Sequence, residues 1–194
     1  MIRFGSKLLS VAALFFAVEM PSSAQVSQGA NLEDIVVSAK KSGDMVIIDV
    51  SMLVPATQRE TWDVLIDFDR MPQFLPNLQA SKILSKSPTR LQVAQKGGVS
   101  HGPISITFDV VRDVELKPYT EIRSHVVSGN LKKVDGTTRL AAEGEGTRVT
   151  LHTESIPNVW VPPGIGPTLI ENETRDQFRD MRNEILKRKE AAKK

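Results

Sequence analysis

The sequence predicts an α+β domain: a curved antiparallel β-sheet wrapped around a long C-terminal α-helix, with a short helix pair after the first long strand. Three observations carry this expectation. Strand-like segments are grouped between helices and do not alternate with them, which argues against a parallel α/β arrangement. Capping residues follow directly on the first long strand, at Thr57 to Glu60. Apolar residues recur at helical spacing from Ile170 to Ile185, near the C-terminus. A sheet with one apolar face needs such a helix to cover it.

Taken in order, residues 1–24 read as a secretory signal peptide. Arg3 and Lys7 make a basic start, Leu8 to Val18 is apolar apart from Ser10, and Ser22-Ser23-Ala24 supplies small residues for cleavage before Gln25. The apolar stretch is shorter than the roughly 20 residues that span a bilayer. Residues 25–31 are polar and read as a flexible leader. Residues 32–190 then form one domain, with no linker, repeat or low-complexity tract inside it.

Ile35 to Ala39 and Met45 to Val54 read as a hairpin around Lys41-Ser42-Gly43-Asp44. In its second arm Val46, Ile48, Val50, Met52 and Val54 share a parity, while the other face carries Asp49 and Ser51. Thr57-Gln58-Arg59-Glu60 is a capping box that starts a short helix. Met71 to Leu78, bounded by Pro72 and Pro76, is a second short helical or irregular piece. Strands follow at Ser81–Ser85, Thr89–Gln95, Ile104–Leu116 and Glu121–Ser128. Two more are expected at Leu131–Val134 and Thr138–Ala142, with Asp135-Gly136 between them as a turn or a bulge. The last is Thr147–Ile156. After the breakers Pro162, Pro163, Gly164, Gly166 and Pro167, Thr168 to Glu171 reads as a second capping box that opens the terminal helix, or the helix begins a few residues earlier. Its stripe runs through Ile170, Thr174, Phe178 (or Gln177), Met181 and Ile185.

Composition excludes several classes of chemistry. The chain has no cysteine, so thiol catalysis and thiolate metal sites are ruled out, and an exported form must be held by its core alone. This combination suits a bacterial periplasm. The formal charge is +2; losing Arg3, Lys7 and Glu19 with the signal lowers it by one, which gives no electrostatic case for nucleic acid. His101, His125 and His152 have no metal-ligand spacing, and no cofactor is expected. The glycine-rich run Gly97 to Gly102 lacks the Lys-Ser/Thr of a phosphate loop.

The run Val54-Pro55-Ala56-Thr57-Gln58-Arg59-Glu60-Thr61-Trp62-Asp63-Val64-Leu65-Ile66-Asp67-Phe68, followed by Met71-Pro72-Gln73-Phe74-Leu75-Pro76, resembles the opening of a START-like domain. That domain belongs to the SRPBCC superfamily, with its polyketide cyclase and lipid transport and its coenzyme-Q-binding branches. Ser128 to Val134, Gly146 to Leu151 and the proline-rich approach to the last helix extend the resemblance over roughly Val46 to Lys189. It implies a helix-grip fold with a hollow between sheet and terminal helix that accepts a lipid, quinone or other apolar molecule. Coenzyme-Q-binding relatives often carry a tryptophan where this sequence has about Thr138, a departure that weakens the transfer of quinone binding.

Arg112 is the sharpest candidate for a ligand contact. It shares a strand parity with Ile104, Ile106, Phe108, Val110, Val114 and Leu116, and a lone charge in an apolar face is costly unless paired. Facing inward, it would anchor a carbonyl or carboxylate. A bulge at Val110-Val111 would instead turn it to solvent, and a rim position would let it snorkel. Phe108, Val110 and Thr138 are assigned to the wall with it. Thr174, Gln177, Phe178 and Met181 are the helix residues expected to face the hollow; Thr174 and Gln177 leave room and hydrogen-bonding capacity where a dry core would use leucine. Trp160 and Phe74 are expected near the mouth, either as a gate or as packing.

The expected function is a periplasmic binding or carrier protein for a hydrophobic small molecule or lipid, with transient membrane contact compatible with that role. Two alternatives stay open. One is a polyketide cyclase or dehydratase using Arg112, Glu173 and His125. The other is a protein-interaction module using the same groove.

Overall fold

A computed structural model describes residues 35–101, 104–156 and 165–194. The expected signal peptide and leader, and Trp160, lie outside them. The described elements are β1 (Val36–Ser42), β2 (Met45–Val54), α1 (Gln58–Leu65), a 3-10 helix (Phe68–Gln73), β3 (Leu78–Lys86), β4 (Arg90–His101), β5 (Ile104–Lys117), β6 (Glu121–Gly129), β7 (Lys133–Glu143), β8 (Gly146–Ile156) and α2 (Ile165–Ala191). The eight strands form one curved antiparallel sheet in the order β1-β2-β8-β7-β6-β5-β4-β3. The helix pair interrupts the chain between β2 and β3, so it carries the chain from one end of this order to the other.

Local chemistry explains the start of α1. The Thr57 side chain accepts the Glu60 N–H at 3.2 Å, and the Glu60 carboxylate accepts the Thr57 N–H at 2.8 Å. Each satisfies an amide that the first turn leaves free. The helix buries Thr61, Trp62, Val64 and Leu65, and Trp62 meets Tyr119 edge-on at 5.9 Å.

The inward parity of β2 is as its pattern requires: Val46, Val50, Met52 and Val54 are buried and Ile48 packs against them. With Val64, Leu75, Val93, Val114, Val149 and Ile185 they make a closed apolar core. Helix α2 packs against β1, α1 and β2. Its Glu171 carboxylate accepts the Ala39 N–H of β1 at 2.9 Å.

Three expectations need correction. Helix α2 begins at Ile165, the earlier of the two starts expected, so the capping box is the part that fails: Thr168 is inside the helix and Glu171 holds the edge strand. Asp135-Gly136 is neither turn nor bulge: β7 runs unbroken from Lys133 to Glu143, with Gly136 paired to Ser124 on one side and Thr153 on the other. Strand β4 runs to His101, well past Gln95, and stays paired with β5 throughout because Gly97 lets it press against its neighbours. A Cβ on Gly97 would lie 2.4 Å from the Asn77 carbonyl oxygen and 2.7 Å from Cζ of Phe108, directly opposite on β5. Glycine at 97 is therefore what lets the Phe108 ring lie flat on the sheet.

Candidate ligand cavity

Between the sheet, the helix pair and α2 lies a cavity of about 210 Å³. Leu65, Phe68, Met71 and Leu75 close it from the helix pair, and Gln177, Phe178 and Met181 from α2. The floor is the concave face of the sheet, from Gln95 on β4 to Leu151 and Thr153 on β8. Helix α2 packs mainly over the β1–β2 side of the sheet, and the cavity lies beside that contact.

Arg112 is in this floor. Its strand neighbours Val110 and Val114 are buried, and Val93, directly across on β4, is fully buried. A bulge does occur here, but on the adjacent strand: Val111 pairs with Ser128 and Arg112 with Val126, leaving Val127 as the extra residue. Val127 is pushed outward and is 46% exposed, while Arg112 keeps its inward parity.

The guanidinium is deeply enclosed, and what surface it keeps faces the cavity it lines. It makes no hydrogen bond or ion pair among the described residues, and its Nε is sealed off without an acceptor. Burial lowers its pKa to about 10, so it is still a cation at neutral pH. A buried charge without a partner is among the most unfavourable arrangements a fold can keep.

Most of the polar groups around it have no partner among the described residues either. Ser124, Thr138, Thr153 and Gln177 line the cavity, and none of these side chains has a hydrogen bond among the described residues. Gln95 donates to Ser81 Oγ at 3.0 Å, but its own Oε1 is buried without a donor. The described wall carries one cation, several hydroxyls and amides, and no carboxylate.

Comparison with known proteins places this geometry. The family model for polyketide cyclase / dehydrase and lipid transport matches residues 54–181. The chain belongs to that family. Solved structures with the same helix-grip fold include a Thermus thermophilus protein (TM-score 0.62, 17% identity, covering 76% of this chain and 99% of that one). A STAR-related lipid transfer protein from Xanthomonas axonopodis is similar at TM-score 0.60 and 14% identity, over 77% of this chain and 98% of its own. The Zhui aromatase/cyclase from a Streptomyces species is similar at TM-score 0.60 and 17% identity, over 76% and 98%. No curated protein matches the sequence.

In this family member the predicted residues separate by position. Arg112, Phe108, Thr138, Gln177, Phe178 and Met181 line the cavity. Val110 is buried but does not reach the lining, and Thr174 is half-buried on α2 outside it. Phe74 also lies outside, with the Arg188 guanidinium 5.6 Å from its ring centre. His125 and His152 are on the outer face, where His152 Nδ1 is 2.8 Å from Asp49. Glu173 does not line the cavity.

Sequence reasoning missed Gln95, Ser124, Gly136 and Thr153. Parity offered a signal for three of them: Gln95 follows Leu91 and Val93, Ser124 follows Ile122, and Thr153 follows Val149 and Leu151. Gly136 was hidden because Asp-Gly is ordinary turn chemistry.

Arg188 ties the helix pair to α2 beside the cavity. It donates to Asp67 at 2.6 Å and to Glu184 at 2.8 Å. Burial alone would push the Glu184 carboxyl up, but hydrogen bonds from Arg188 and Lys187 outweigh it and hold it below the ordinary carboxylate range.

Proposed function

We propose that this chain is an exported, periplasmic binding or carrier protein that holds a hydrophobic small molecule, a lipid, quinone or aromatic compound, in the cavity between sheet and α2. The observation that carries the reading is the cavity itself: apolar walls around a cationic side chain that has no partner among the described residues. Filling the void removes apolar ligand surface from water at about 25 cal/mol per Å². A ligand hiding on the order of 200 Å² there would gain about 5 kcal/mol before any polar contact. The family description, which joins cyclases with lipid transport, agrees with an apolar cargo. Residues 1–24, with Arg3, Lys7 and the small residues Ser22 to Ala24, support export.

The enzymatic alternative requires a positioned acid or base at the ligand. Among the described residues the wall supplies hydroxyls, amides and one guanidinium, and the carboxylate and histidine considered for catalysis lie elsewhere. Orienting and enclosing is what this set of groups does best.

The test is native mass spectrometry with solvent extraction on protein purified from its own cell envelope. The expected result is a processed chain beginning at Gln25 with a co-purifying apolar molecule. An unprocessed cytoplasmic chain would overturn the location. A chain that is empty and takes up no fatty acid, quinone or aromatic compound would overturn the carrier role.

A further inference from the structure

The cavity is polar in a particular way. Its one charge is positive, and no acidic side chain among the described residues faces it. A neutral oxygen, such as a ketone or an alcohol, could accept hydrogen bonds from Arg112 but would leave the charge uncompensated in a low-dielectric enclosure. An anion both accepts the hydrogen bonds and offsets the charge. A dianion would overshoot, since no second cation among the described residues lines the space.

Size narrows the choice further. Against the roughly 30 Å³ that a water molecule occupies in the liquid, about 210 Å³ holds about seven heavy atoms. A doubly substituted phosphate with two acyl chains does not fit. A carboxylate on a single chain or ring does, and its planar pair of oxygens matches the guanidinium fork.

A second observation is independent of Arg112. Gly136 sits in the middle of β7, where glycine weakens a strand and marks a close approach. Among the described residues no backbone makes that approach: a Cβ built on Gly136 would first meet Ser124 Oγ and Thr153 Oγ1, each at 3.3 Å, and the nearest backbone atom only at 4.0 Å. The missing side chain thus leaves a notch flanked by two hydroxyls without hydrogen bonds among the described residues. Ser124 is the diagonal neighbour of Arg112, since Arg112 pairs with Val126 and Val114 with Ser124. Diagonal neighbours lie roughly 7–8 Å apart, within reach of an arginine side chain.

We infer that the occupant is an organic acid, a single aliphatic chain or aromatic body ending in one carboxylate, seated on Arg112 with its polar end extending toward the Ser124–Gly136–Thr153 notch. This rests on the carrier reading above and specifies its ligand class. The apolar body lies along Phe68, Met71, Phe108 and Phe178.

The test compares hexanoate with hexanol by isothermal titration on delipidated protein. The two share a chain and differ in the charged head. Hexanoate is expected to bind about tenfold or more tighter, as charge-assisted hydrogen bonds imply. In Arg112→Met that advantage should vanish while hexanol binding persists; Arg112→Lys, which keeps charge without the fork, should retain part of it. Gly136→Ala should weaken hexanoate more than hexanol by filling the notch. If hexanol binds wild-type protein as tightly as hexanoate, the acid is wrong and the carrier reading stands. If neither binds and envelope-purified protein is empty, the carrier reading falls and this inference with it.

Discussion

Replacing Arg112 by methionine should stabilise the ligand-free protein. Burial holds the guanidinium pKa at about 10, some two pH units or more below a free arginine. At about 1.4 kcal/mol per pH unit, that corresponds to roughly 3 kcal/mol favouring the neutral form, paid as destabilisation of the folded cation. The sign follows from linkage. Between the folded and unfolded pKa values the unfolded chain binds more protons, so stability rises with pH only there. Below about pH 10 the full penalty is present, including at neutral pH. Methionine keeps most of the stem's apolar contacts and removes the charge, as replacements of buried ions by apolar side chains can. A gain of about 1–3 kcal/mol is expected, the lower end allowing for relaxation around the cavity. For a domain of this size each kcal/mol shifts Tm by about 2–4 °C. The assay is urea and thermal unfolding of delipidated wild type and variant at pH 7. Destabilisation by more than about 1 kcal/mol would refute the reasoning, because it would mean that Arg112 has a partner within the fold. Run with ligand present, the order should reverse, since binding stabilises only the form that binds.

Gly97→Ala should destabilise by about 2 kcal/mol, within the range for overpacking, because its Cβ would meet the Asn77 carbonyl and the Phe108 ring; urea midpoints check this. Thr57→Ala should cost about 1 kcal/mol by removing the helix cap. The backbone N–H of residue 57, the first cause of the lowered Glu60 pKa, survives in the variant; only the hydroxyl bond to the carboxylate is lost, so only that smaller part of the parent's advantage should fade as pH falls through the lowered value, read from urea midpoints down an acid series. Arg188→Ala should cost about 1–2 kcal/mol by freeing Asp67, Glu184 and Phe74. Because the Glu184 pKa is lowered in the folded state, that contribution is present above the ordinary carboxylate value and lost in acid; a difference from wild type that does not shrink at low pH would contradict it.

The strands and helices were largely legible because their signals are local. Period-two burial in β2 and the Thr57–Glu60 box depend on residues a few positions apart, and both appear as the pattern requires. Boundaries failed where tertiary contacts replaced local chemistry. Thr168 to Glu171 spells a cap, but the Glu171 carboxylate has a better use on β1, more than a hundred residues away. Asp135-Gly136 spells a turn, but pairing on both sides holds it straight within β7.

By itself the sequence determined the class of fold, the long covering helix, and a lone arginine in an apolar strand face, since each follows from periodicity and composition within one segment. Only the tertiary structure decided which way Arg112 points. That depended on whether an extra residue fell on β5 or on β6, and a one-residue slip reverses every side chain along a strand. The same holds for the cavity. Gln95, Ser124, Gly136 and Thr153 lie on four strands from β4 to β8, and no spacing along the chain shows that curvature and pairing gather them around Arg112.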